Sequence, residues 1–248
     1  MLTIKSTKLL TGVEICGDYE DLNTLYDALS NVIGEEGFYE GYESCSLRVL
    51  GLCYEIRHAY QDERSTLKSD DGSRYHSFNC FWPEMIFIAS ALGDFMSFAE
   101  NKGCYLNDST VEFFNQETRQ RLKEALPNHI ALLRYFQSLI WNELKSIIGQ
   151  KRFTKIFGVD ESRLRFNLFE QSFDGYCTQM INILNVKYIG WKPERRESYL
   201  ANVAEKVVKP NYEYNNLKDA VMEYTDESGT TYFEIELEGM QYPDGIKW

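Results

Sequence analysis

Residues 17–34 read GDYEDLNTLYDALSNVIG, and they spell one amphipathic helix with both ends marked. Asp18 stands at the N-cap position, Glu20 and Asp21 occupy the first turn, where the helix dipole favours anions, and Gly34 supplies a left-handed stop. Leu22, Leu25, Tyr26, Leu29, Val32 and Ile33 follow the helical period, so this stripe needs a core to face. An anion site at Gly17-Asp18 is the functional alternative, but the glycine-rich phosphate fingerprint is missing and the helix start is itself acidic.

Outward from this helix, Thr3–Ser6 and Gly12–Cys16 read as short strands on its N-terminal side. On the other side, Val49, Cys53, Ile56 and Tyr60 share one face of a helix predicted over 46–60. The polar stretch 61–74 with Asp71-Gly72 reads as a loop, and Tyr75–Phe81 as a strand. Pro83 then suits the first position of a helix reaching about Glu100, apolar on nearly every side and therefore central; Asp94 within it is expected on its least buried side or paired with an arginine. Further helices are predicted from Ser109 to Leu126, from Pro127 to Gly149, and over 151–158, 172–185 and 197–208. In the tail, Ala220–Thr225 and Thr230–Glu238 flank Asp226-Glu227-Ser228-Gly229, and Phe233, Ile235 and Leu237 alternate with acids, which predicts a hairpin. The expected fold is α+β: a mostly helical single domain over 1–248, with a small mixed or antiparallel sheet built from the N-terminal strands, the strand near 75–81 and the C-terminal hairpin.

The chain has 248 residues, 44% of them hydrophobic and 15% aromatic, enough for a sizeable core. Its longest apolar run, Met85–Ala99, is interrupted by Asp94 and falls short of the roughly 20 residues of a membrane span. The N-terminus lacks the apolar core of a signal peptide, so a cytoplasmic location is expected, with the six cysteines reduced. No two cysteines have zinc-ligand spacing and the three histidines lie far apart, so no metal is expected, and no cofactor.

The net charge of −12 is uneven. Residues 1–44 hold nine acids against Lys5 and Lys8, and residues 213–238 hold eight acids against Lys218, so each zone carries −7. The basic stretch from Lys145 to Arg165, interleaved with Phe153, Phe157 and Phe166, has the composition of a nucleic-acid surface. A strongly acidic chain nonetheless makes nucleic acid an unfavoured partner, because polyanion affinity comes from basic charge.

The densest polar group runs from Cys53 to His58 and on to Arg64. Arg57 and His58 are the candidate catalytic pair, His58 as general acid or base and Arg57 as anion clamp, with Glu84 or Asp18 supplying a carboxylate and Tyr54, Tyr60 and Trp82 lining a pocket. Adjacent helix positions point in different directions, which favours structural roles for both. Walker, dinucleotide-binding, Gly-x-Ser-x-Gly and HExxH motifs are all missing.

Leu10-Thr11-Gly12, the GDYEDL entry to the first helix, RVLGLCYEIRHAYQ at 48–61 and Trp82-Pro83-Glu84 resemble an uncharacterised family of bacterial proteins of unknown function, over roughly residues 8–95. The resemblance implies an intracellular bacterial protein and brings no catalytic residue with it. The leading functional expectation is therefore a non-catalytic acidic binding protein of the bacterial cytoplasm, in a defence or toxin-neutralising setting. It would meet a basic protein partner through Glu223, Glu234, Glu236 and Glu238. The alternative is a small-molecule enzyme using Arg57 and His58.

Overall fold

Among the described residues, four antiparallel strands form the sheet, in the order β1 (Thr3–Ser6), β2 (Gly12–Gly17), β4 (Arg74–Phe81) and β3 (Ser65–Lys68). The computed structural model describes residues 1–34, 38–39, 41–68, 72–102, 116–158, 174–209, 211–230, 235 and 240–248, and only the backbone of 101–102, 116–123 and 174–177. Strand register aligns Ile4, Ile15 and Phe78 in one buried row, and the alternate row Lys5, Glu14 and Asn79 lies on the opposite face. The sheet thus turns one side to the core and one polar side away from it, as the period of two dictates.

Among the described residues, eight helices pack around it: α1 (Tyr19–Ile33), α2 (Glu43–Tyr60), α3 (Trp82–Lys102), α4 (Gln116–Ile148), α5 (Gln150–Phe157), α6 (Asp174–Ile189), α7 (Pro193–Val208) and α8 (Tyr212–Ser228). The arrangement is a mostly helical α+β fold with a small antiparallel sheet. α3 touches α1, α2, α4, α6, α7 and the sheet, and Asp94 is itself only 3% exposed, because this helix has no solvent side there.

The first helix has the ends its sequence announces. Asp18 Oδ1 accepts from the Asp21 amide at 2.8 Å and Asp21 Oδ2 accepts from the Asp18 amide at 3.2 Å, a reciprocal capping box. Leu22, Leu25, Leu29, Val32 and Ile33 are buried. Asp18→Ala is expected to lower stability by about 1 kcal/mol in urea unfolding; an unchanged midpoint would show that the cap contributes nothing to the folded state.

Four expectations need correction. α2 begins at Glu43, before Ser46. The predicted loop 61–74 contains β3, whose polar residues form a strand by pairing with β4 rather than by burying a face. α4 runs unbroken through Pro127, because Leu126, Leu133, Phe136, Ile140 and Leu144 keep one stripe buried across it. That burial outweighs the roughly 3 kcal/mol that an interior proline costs. Most consequentially, 220–225 is not the first strand of a hairpin but part of α8, capped by the Asn211 side chain, which accepts from the Tyr214 amide at 3.1 Å, and stopped by Gly229 in the left-handed region. Of the second strand, 230–238, only Thr230 and Ile235 are described, and neither is in a strand. The opening Ser109–Glu112 of the next predicted helix lies outside the described residues.

One buried arginine ties the two ends of the molecule together. Arg196, in the first turns of α7 and 6% exposed, donates from Nη1 to the Leu9 carbonyl at 2.9 Å and to Thr11 Oγ1 at 2.6 Å. It also donates from Nη2 to the Ile189 carbonyl at 2.6 Å and from Nε to the Tyr188 carbonyl at 3.2 Å. The positive charge thus sits at the carbonyl end of α6, where the helix dipole favours it. The Tyr188 hydroxyl donates to the Leu10 carbonyl at 2.8 Å, and Leu10 has a φ of +52°, so α6 grips a strained β1–β2 turn.

Candidate functional site

The four candidate catalytic residues do not share one site. Arg57 is exposed and lies 5.5 Å from the centroid of the Tyr54 ring. The His58 ring packs on Tyr54 at 4.0 Å, its Nδ1 meets the Glu63 carboxylate, and its Nε2 is buried without a hydrogen-bond partner among the described residues. Asp18 is committed to the cap of α1. It borders a groove of about 270 Å³ between that helix end and α4, with Leu2, Glu20, Asp21, Leu132 and Tyr135 among the lining residues. Neither Arg57, His58 nor Glu84 reaches that groove.

Glu84 belongs instead to a partly buried polar cluster where α2, α3 and α6 meet. Its Oε2 accepts from Arg48 Nη1 at 2.5 Å and from Asn185 Nδ2 at 2.8 Å. Arg48 Nη2 also donates to Asn182 Oδ1 and to the Thr178 carbonyl, the latter at 3.2 Å. The Tyr242 hydroxyl lies 3.4 Å from Asn185 Nδ2, while Asn185 Oδ1 is buried with no partner among the described residues. Burial, with the Glu84 carboxylate nearby, holds the Cys80 thiol well above its ordinary range, and burial likewise raises the Tyr242 phenol. Both groups are therefore protonated at neutral pH, and Cys80 is not an activated nucleophile.

Sequence reasoning found Glu84 but not Arg48, Asn182, Asn185 or Tyr242. One legible signal was the spacing of Thr178, Asn182 and Asn185 at i, i+4 and i+7, a polar stripe on a helix that buries Met180, Ile181, Leu184 and Tyr188.

Of the four candidate partner-binding acids, Glu223 is described and Glu234, Glu236 and Glu238 lie outside the described residues. Glu223 stands on α8 with Asp219, Asp226 and Glu227, all exposed, on the side of the helix opposite its buried Tyr214 and Val221. None of these four carboxylates makes an ion pair with a described residue, whereas Glu213 binds Lys206 at 2.7 Å. The same outer face carries Tyr212, which is 79% exposed. Among the described residues, no group of three or more His, Cys, Asp or Glu side chains could hold a metal ion, and no helix is long and apolar enough to cross a membrane.

A family model described as a domain of unknown function (DUF6904) matches residues 2–248. The chain belongs to that family. The DUF6904 match covers nearly all of the chain, well beyond residues 8–95, on which the sequence resemblance rested. No curated protein and no solved structure matches the chain.

Proposed function

We propose that this DUF6904 protein is a non-catalytic binding protein that engages a basic protein partner through the acidic outer face of α8. The observation that carries this reading is the stripe Asp219, Glu223, Asp226 and Glu227 on one exposed helix face, with no ion pair to any described residue. Such a face raises the encounter rate with a cationic surface and disfavours polyanions. The dispersal of Arg57, His58, Glu84 and Asp18 favours binding over the small-molecule enzyme. We place the protein in the bacterial cytoplasm, a reading supported by Cys16, Cys53 and Cys80 being free thiols. A basic toxin or other cationic effector would be a partner of the required chemistry.

The test is capture of the partner from the native host, followed by kinetics with the variant carrying lysine at 219, 223, 226 and 227. Association is expected to slow at least about tenfold at low salt while the melting temperature stays close to that of the parent. An unchanged association rate, or a partner that is itself acidic, would overturn the reading.

A further inference from the structure

We propose that residues 240–248 form a releasable strap in which Tyr242 fills, in cis, a docking slot for a tyrosine side chain of a partner protein. The slot is made by the Phe81 ring and the side chains of Asn185 and Glu84.

The segment has no regular secondary structure, and Gln241 through Gly245 are exposed. Among the described residues, no backbone–backbone hydrogen bond ties it to the rest of the chain. Its polar and ring anchors among the described residues are few. Tyr242 and Trp248 stack on Phe81 with centroids at 5.5 Å and 5.0 Å and planes within 13° of parallel. The Lys247 carbonyl accepts from Thr11 Oγ1 at 2.6 Å. Two ring contacts and two polar contacts must offset the conformational entropy of nine ordered residues, which leaves little net stabilisation. A segment held this way opens by itself, far more often than the core unfolds.

Beneath it lies a surface with defined chemistry. Phe81 offers a ring face, and Asn185, 1% exposed, offers an amide oxygen that no described donor satisfies. The amide nitrogen beside it already binds Glu84 and approaches the Tyr242 hydroxyl. A ring hydroxyl can accept from that amide nitrogen, as the Tyr242 hydroxyl does at 3.4 Å, so the arrangement suits a phenol. When the strap lifts, a tyrosine side chain of a partner protein has the same contacts available.

Labelling the full chain with 5-fluorotryptophan separates the strap from the core, because Trp248 lies on the strap while Trp82 and Trp141 are fully buried. In a urea titration followed by fluorine NMR, Trp248 is expected to reach its unfolded position while Trp82 and Trp141 are still native. A single shared transition would overturn the strap. In Tyr242→Ala, Trp248 is expected at its unfolded position without urea, and p-cresol, the tyrosine side chain itself, is expected to shift the Asn185 side-chain amide saturably. A Trp248 resonance left at its native position, or no amide shift up to the solubility limit of p-cresol, would overturn the slot.

Discussion

Arg196→Met is expected to lower the unfolding free energy by about 3–5 kcal/mol. Methionine fills much of the aliphatic volume but donates nothing. The carbonyls of Leu9, Tyr188 and Ile189 and the hydroxyl of Thr11 all lose a charged donor in one step. Each buried acceptor left unsatisfied costs on the order of 1–3 kcal/mol, less what entering water restores. The 240–248 segment also suffers indirectly, since Thr11 Oγ1 in turn donates to the Lys247 carbonyl. Arg196→Lys should recover only a minor part, because a single ammonium cannot reproduce the planar fork that spans α6 and the turn at once. Urea denaturation of the three proteins checks this. A loss below about 1 kcal/mol in the methionine variant would mean that water replaces the guanidinium.

The segments that could be read from sequence are those whose local and tertiary signals agree. In α1 the Asp18 cap, the apolar stripe and the Gly34 stop all point to the same helix, and α3 is apolar enough around its circumference to be central. β3 could not be read because Ser65, Thr66, Leu67 and Lys68 bury almost nothing; their conformation is set by hydrogen bonds to β4. The tail misled for a different reason. Alternation at 233–237 is a real period of two, but extending it back to 220 overlooked Asn211, Tyr214, Leu217 and Val221, which have a cap and a helical spacing. The polar cluster around Glu84 joins residues 48, 84, 182, 185 and 242, and no window along the chain contains more than two of them. Arg57 and His58 drew notice through density in sequence, whereas the structure spreads that density around a helix end.

Gly12→Ala is expected to cost about 3 kcal/mol, through a clash that no side-chain movement can relieve. Gly12 pairs with Phe81 in the central β2–β4 ladder. A Cβ at position 12 would stand 1.9 Å from the Cys80 carbonyl oxygen and 2.7 Å from its carbon, and 2.9 Å from the Phe81 Cα. All three are backbone atoms, so either β2 or β4 must shift. β2 has no freedom to do so, because the Gly12 amide donates to Thr7 Oγ1 at 3.1 Å and its carbonyl accepts from the Thr7 amide at 2.9 Å. β4 is held equally, since Trp82, next after Phe81, is fully buried at the start of α3. The ladder therefore has to open at its end, beside the Thr11 hydroxyl that Arg196 holds. Gly51→Ala is the matched control: it lies mid-helix in α2 with open space around its missing Cβ, and should stabilise the protein by about 0.5–1 kcal/mol. Opposite signs for the two substitutions in the same urea assay would separate close backbone approach from the general effect of adding a methyl group to glycine. A mild effect at Gly12 would mean that β2 and β4 can part there without loss.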